Sequence, residues 1–176
     1  AFKRRKRAQA RLRKTTKGVT NMKKIRVNAS KSYDVLIGNG LLRSAGELIS
    51  EVIPPCSAAV VADDAVFSLY GGAVVSSFEK SGYKTFVHTF PRGERSKNAE
   101  NYIRILEFLA ESRITRSDLI VALGGGVTGD LAGFAAATYL RGTAFVQIPT
   151  TFLAAIDSSV GGKTGIDLRA GKNLAG

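Results

Sequence analysis

Chemistry in this chain gathers at a few glycine-rich and charged stretches set between apolar runs. Leu119 to Phe134 reads LIVALGGGVTGDLAGF, in which Gly124, Gly126 and Gly129 satisfy G-x-G-x-x-G. An apolar, β-branched run feeds into these glycines, and small residues with helical periodicity follow them. Such a turn places glycine at a helix N-terminus, where unpaired N–H groups and the positive end of the helix dipole attract a phosphate. Two readings stay open at this point: a nucleotide site, or a turn that is glycine-rich only for close helix-to-strand packing. Asp63, after the apolar SAAVVA, is either the acid that grips a ribose hydroxyl at a strand tip or a helix N-cap. Glu94 and Lys97 in PRGERSK are either ligand contacts or first-turn charges of the next helix. Near the end, FLAAIDSSVGGKTGIDLRAGKNLAG sets Asp157, Ser158, Ser159, Lys163, Thr164, Asp167, Lys172 and Asn173 among glycines. Its GGKTG is not a P-loop, because Asp157 stands where the motif needs glycine and no buried strand leads in. An aspartate and two lysines on loops there suit an anionic, hydroxylated substrate.

The elements that must hold these groups read as alternating strands and helices. IRVNA and YDVLIG around Ser30–Ser32 predict an N-terminal β-hairpin, and Leu41 to Val52 carries helical spacing that Pro54 and Pro55 end. Strands are expected at Ser57–Ala62, Thr85–Phe90, Leu119–Gly124 and Ala144–Ile148, and helices at Val74–Ser81, Asn98–Glu111 and after the glycines. The pattern predicts an α/β fold with a mostly parallel, Rossmann-like sheet flanked by helices. Phe152 to Gly176 is too polar for core and is expected to form loops. His88, the sole histidine, lies inside a strand as a packed residue and cannot build a zinc site alone.

The totals narrow the class. The chain has 176 residues, 44% of them hydrophobic, which suits one well-buried domain. A net charge of +12 suggests nucleic acid until it is located. Eleven of the 26 basic residues lie at or before Lys24 with no acid, leaving 15 against 14 acids in the rest. Residues 1–21 therefore read as a basic disordered extension, and 22–176 as the folded domain. Met22 resembles a start codon, which makes the arm upstream sequence; it lacks the serines of a transit peptide and has one aromatic, Phe2, for an RNA tail. Cys56 is alone, so no internal disulfide forms, and no apolar run nears the roughly 18 residues of a membrane span. A cytoplasmic protein with no membrane or nucleic-acid partner is expected.

VALGGGVTGDLAGFAAATYLRG, QIPTTFLAAIDSSVGGKTGID, GKN and the PRGERSK loop together resemble the 3-dehydroquinate synthase family. The resemblance runs from about Lys24 to the last residue. It implies an NAD-dependent, metal-dependent phosphate lyase of the shikimate pathway, converting 3-deoxy-arabino-heptulosonate 7-phosphate to 3-dehydroquinate, and active as a homodimer. Asp63, Glu94, Lys97, Gly125, Gly126, Asp130, Thr150, Thr151, Lys172 and Asn173 then fall at NAD-binding positions. Asp157 and Lys163 match residues at the reacting part of the sugar phosphate, and Arg141 an arginine that reaches the substrate phosphate from the neighbouring subunit. The family's zinc or cobalt is held by one Glu and two His beyond GKN, where its C-terminal helical domain follows. No metal ligand is therefore expected in this chain, and alone it is expected to be inactive. A related sugar-phosphate cyclase (2-deoxy-scyllo-inosose, aminodehydroquinate or valiolone type) and a non-catalytic nucleotide-binding module are the alternatives.

Overall fold

The computed structural model describes residues 22–29 and 32–176. The basic stretch 1–21, with Ser30 and Lys31 of the expected hairpin turn, lies outside the described residues. Strands β1 (Lys23–Val27) and β2 (Tyr33–Ile37) pair antiparallel as the expected hairpin, a two-stranded sheet of their own. Next come a 3₁₀ turn, Leu41–Ser44, and helix α1 (Ala45–Ser50), which end before Pro54 and Pro55.

The body is a four-stranded sheet in the order β4-β3-β5-β6, formed by β3 (Ser57–Asp63), β4 (Lys84–Phe90), β5 (Leu119–Gly124) and β6 (Ala144–Pro149). All three pairings are parallel. The two central strands are apolar along nearly their whole length because both faces are covered. Alternation sorts their side chains. Ala59, Val61, Ile120 and Ala122 pack with Ile105 and Leu109 of α3 (Ala99–Glu111) and Leu131 and Ala135 of α4 (Gly126–Thr138). On the other face, Ala58, Val60, Leu119 and Val121 meet Ala45 and Ile49 of α1 and Val74 and Phe78 of α2 (Gly72–Lys80). Each large apolar side chain so buried contributes about 1.5–3 kcal/mol. This is the Rossmann-like layering that the alternation of elements predicted.

Two departures have physical causes. The helical stretch before β4 starts ahead of the expected Val74, at the position the N-cap reading of Asp63 requires: Asp64–Val66 forms a turn, and Phe67–Gly71 a π-helical stretch, that run directly into α2. The Phe67 ring lies over Gly71, where any Cβ would collide with it, so the stretch has room for that ring only at a glycine. The C-terminal segment is not loop throughout. Ala154–Ser158 is a π-helical turn, and β7 (Ile166–Leu168) and β8 (Gly171–Ala175) form a second hairpin. Ile166, 4% exposed, anchors this hairpin in the α3–α4 core, a single apolar side chain that the surrounding polar residues hid.

His88 is packed, as expected: its ring lies 5.1 Å from that of Phe108. No helix among the described residues is long and apolar enough to cross a membrane.

Asp118 ties the entrances of β3 and β5 together. Its buried carboxylate accepts from Ser57 N at 2.9 Å, Thr115 N at 2.8 Å and Thr115 Oγ1 at 2.7 Å. Burial alone would raise its pKa, but the hydrogen bonds from Thr115 and Ser57 more than offset this and hold it below the ordinary 3.8. A carboxylate depressed on folding adds stability above its unfolded pKa, and that stability fades as pH falls through the folded value. Asp118→Asn is therefore expected to lose about 1–3 kcal/mol at neutral pH, and to lose less than the parent on acidification below about pH 4. Urea denaturation across a pH series checks both.

Candidate functional site

Parallel strands bring every strand's C-terminal end to one edge, and the register aligns them. Asp63 lies opposite Phe90, Ala62 opposite Leu123, and Gly124 opposite Pro149. The chain leaves β3 for β4 on one side and then returns to β5 on the other, so the crevice between β3 and β5 is a topological switch point. Around it stand Asp63, the loop 91–97, the glycine turn, and Thr150 with Thr151.

The glycine turn works by absence of volume. Gly125 has an ordinary extended conformation (φ −81°, ψ −167°), and neither Gly124 nor Gly126 needs a left-handed one. What excludes side chains is their surroundings. A Cβ on Gly124 would stand 2.6 Å from Thr128 Cβ, and one on Gly125 would stand 3.2 Å from Thr151 Cγ2. The N-terminus of α4 has no side-chain cap and no acid in its first turn. Its leading N–H groups thus have no side-chain acceptor, unlike those of α3, where Asn98 Oδ1 accepts from Asn101 N at 2.9 Å. Three hydroxyls at or beside the turn also lack partners: Thr128 Oγ1, Thr150 Oγ1 and Ser158 Oγ are all buried without a hydrogen bond. Thr150 is fixed there by its own N–H, which donates to Gly124 O at 3.0 Å. Ser158 Oγ lies 3.4 Å from where a Gly126 Cβ would be. Buried polar atoms without partners are uncommon, and three of the four among the described residues lie at this uncapped helix end, the other being His88 Nε2 in β4.

Next to the turn, a buried ammonium gathers the other charged groups. Lys97 is 5% exposed. Its Nζ donates to Asn173 Oδ1 at 2.6 Å and to Asp130 Oδ2 at 3.1 Å, with Asp167 Oδ1 at 3.6 Å and Glu94 Oε1 at 3.7 Å. Glu94 is also 3.3 Å from Lys172 Nζ. Burial presses Lys97 toward the neutral form, but the Asp130 hydrogen bond and the charges of Asp130, Glu94 and Asp167 outweigh it, and its pKa is raised. Burial also raises Asp130, only partly opposed by Lys97, with Glu94 and Asp167 adding to the rise. Local bonds hold Lys97 in place: Ser96 Oγ donates to Pro91 O, and Asn101 Nδ2 donates to Ser96 O at 2.9 Å. An open cleft of about 500 Å³ adjoins this group, between the start of α3 and the β7–β8 hairpin, and does not reach the glycine turn.

The structure thus brings Glu94, Lys97, Asp130, Lys172 and Asn173 into one network, with Gly125, Gly126, Thr150 and Thr151 at the adjoining turn. Asp63 stands at the tip of β3 and caps the following turn, its Oδ1 accepting from Val66 N at 2.8 Å. That leaves Oδ2 free of hydrogen bonds among the described residues, so the two sequence readings of Asp63 are geometrically compatible. Thr151 Oγ1 accepts from Ala154 N at 3.2 Å, which leaves Thr150 as the unengaged member of the pair. Asp157 and Lys163 face each other at 3.7 Å on the exposed segment beyond. That segment is anchored by the N-terminal hairpin, because Gly161 N donates to Tyr33 Oη at 2.8 Å. Arg141 is not brought to this edge. It lies past the far end of α4, about 20 Å away by helical rise, exposed and with φ 65°. Among the described residues, no group of three His, Cys, Asp or Glu is placed to hold a metal ion. Two participants carry no role in the sequence reading: Ser158, a polar neighbour of Asp157, and Asp167, whose partners are 70 and six residues away.

Known proteins resemble this chain in sequence and fold. The family model for 3-dehydroquinate synthase N-terminal matches residues 87–176. A 3-dehydroquinate synthase of Streptococcus suis is 50% identical over 144 residues, covering 82% of this chain and 41% of that protein. One from Clostridium acetobutylicum is 48% identical over 145 residues, with the same shares. Among solved structures, 2-deoxy-scyllo-inosose synthase in complex with carbaglucose-6-phosphate, NAD+ and Co2+ superposes with a TM-score of 0.78 at 31% identity, over 89% of this chain and 42% of that one. The 2-epi-5-epi-valiolone synthase of Streptomyces hygroscopicus, with NAD+ and Zn2+ bound, gives 0.74 at 32% identity, over 86% and 42%. The chain spans about 41% of the length of such curated relatives. With the glycine turn, the PTT segment and the DSSVGGKT block all inside or beside the matched region, the chain belongs to the 3-dehydroquinate synthase N-terminal family.

Proposed function

We propose that this chain is the NAD-binding part of a 3-dehydroquinate synthase. The observation that carries the reading is the uncapped N-terminus of α4, flanked by the buried, unpartnered hydroxyls of Thr150 and Ser158. The residues fit a dinucleotide. The N–H groups after Gly125 and Gly126 would hold the pyrophosphate, Asp63 a ribose hydroxyl, and Thr150, Thr151, Asp130, Lys97, Glu94, Lys172 and Asn173 the remainder. The chemistry NAD supplies when bound is reversible hydride transfer with a substrate hydroxyl.

For the substrate, Asp157 and Lys163 stand exposed on the segment next to the turn, where they can meet a hydroxylated, phosphorylated ketose acid. Lys163 offers a cation to an anionic group and Asp157 an acceptor to a hydroxyl. Arg141, remote within the chain, suits a substrate phosphate presented by a second copy, in keeping with a homodimer. The reaction proposed for the whole protein is conversion of 3-deoxy-arabino-heptulosonate 7-phosphate to 3-dehydroquinate and phosphate. A metal has no donor set among the described residues, so none of these steps is assigned to one. A related sugar-phosphate cyclase is the second reading, supported by the two solved structures. The identities of 48–51% to several 3-dehydroquinate synthases, against 31–32% to those cyclases, favour the first.

Calorimetric titration of the 176-residue chain with NAD should show saturable binding, and a phosphate-release assay with the heptulosonate phosphate should show no turnover. Absence of binding, or turnover by this chain alone, would contradict the proposal. Two glycine variants separate fold from ligand. Gly124→Ala drives a methyl into Thr128 and should cost about 1–3 kcal/mol in denaturation. Gly126→Ala meets nothing closer than 3.4 Å and should fold normally. Its methyl occupies the phosphate's approach, so its NAD affinity should fall at least about tenfold.

A further inference from the structure

Asp167 closes the QIPTTFLAAIDSSVGGKTGID stretch of the family resemblance without a role assigned to it there. It lies in β7, where the pairing with β8 slips between Ile166 and Leu168, the register irregularity of a bulge. Across that slip its side chain supplies the acceptor the backbone ladder lacks, as Oδ1 accepts from Asn173 N at 2.8 Å. Asn173 is left-handed there, with φ 54°, and this turns its own Oδ1 onto Lys97 Nζ at 2.6 Å. The main chain of Asp167 grips Lys97 as well: Asp167 N donates to Lys97 O at 2.9 Å, and Asn98 bridges to Asp167 in parallel. One residue therefore fixes both partners of the shortest contact in the network.

We propose that Asp167 is a positioning residue of the nucleotide site, whose carboxylate holds Asn173 in the left-handed conformation so that Asn173 and Lys97 meet. Its functional consequence rests on the nucleotide reading above. The positioning part belongs to Asp167 as a hydrogen-bond acceptor, and its charge, which helps keep Lys97 protonated, acts from farther away. Its oxygen is 3.6 Å from Lys97 Nζ, farther than the 3.1 Å of Asp130, and is already committed to Asn173 N–H.

Asp167→Asn keeps an acceptor oxygen and removes the charge, whereas Asp167→Ala removes both. Acylation of lysines in the ligand-free 176-residue chain, followed by mass spectrometry, reads the clamp directly, with exposed Lys163 as internal reference. Lys97 should label slowly in the parent. In Asp167→Ala its rate relative to Lys163 should rise about fivefold, the factor one net hydrogen bond allows. In Asp167→Asn the rise should be clearly smaller, limited to the loss of a charge 3.6 Å from Nζ while the acceptor oxygen stays. Asn173→Gly keeps the left-handed backbone but loses the contact with Lys97, and adding Asp167→Ala to it should bring no further rise. The affinity for NAD should follow the same order. Equal effects of the Asn and Ala variants, or additive effects in the double variant, would overturn the proposal. If Asp167→Ala fails to fold, a rise of about fivefold or more in Asp167→Asn overturns it alone. If the parent chain does not bind NAD, the nucleotide reading falls, and the labelling order still decides the clamp.

Discussion

A lysine ammonium taken out of water must find its hydration replaced, and Lys97 is the point at which this chain meets that demand. The replacement comes from three separate stretches: Asp130 on α4, Asn173 and Asp167 on the C-terminal hairpin, and Glu94 on the same loop as Lys97. No two of these stretches are sequence neighbours, so the charge cannot be satisfied until the sheet, α4 and the hairpin have all docked. Removing either hydrogen-bonded partner, Asp130 or Asn173, leaves a buried charge short of contacts, which typically costs several kcal/mol. The network is thus a condition for the site's shape before it is anything chemical. It also explains why so polar a C-terminal segment takes a defined shape: the buried Ile166 holds it to the core and the buried Lys97 holds Asn173.

The sheet supplies the frame for that network. Parallel pairing directs the strand ends to one edge, and the switch between β3 and β5 leaves a crevice there. Two central strands with both faces buried give a rigid floor, and helices of small residues lie close over it. In α4, Gly129 and Gly133 let the helix approach Gln147 and Phe145 of β6, which fixes where its N-terminus emerges.

Much of this was legible in the sequence, for reasons that can be named. Apolar runs with β-branched residues mark central parallel strands unambiguously when glycine or aspartate ends them, as at Asp63 and Gly124. Asp63 and Lys97 follow strand ends and can be singled out from the pattern alone, whereas Asp130 and the threonine pair are named only through the family resemblance. The C-terminal hairpin was not legible. Its strands are three and five residues long, and its fixing contacts are side chain to main chain across 70 positions or more. Periodicity reports only what repeats locally, and nothing about Asp167 repeats. Ser158 escaped for a related reason: a serine beside two other polar residues carries no signal of burial until the π-helical turn folds it against the glycines.

The ordinary backbone dihedrals of the glycine turn carry a consequence of their own. Turns that demand left-handed residues rank substitutions by conformational strain, with asparagine and aspartate tolerated ahead of alanine. Gly124, Gly125 and Gly126 make no such demand, so side-chain bulk alone ranks what they admit. Asparagine should then fare worse than alanine at each. The turn behaves as a gauge of clearance, narrowest at Gly124 beneath Thr128 and widest at Gly126, where the protein leaves open a space that its own atoms do not use.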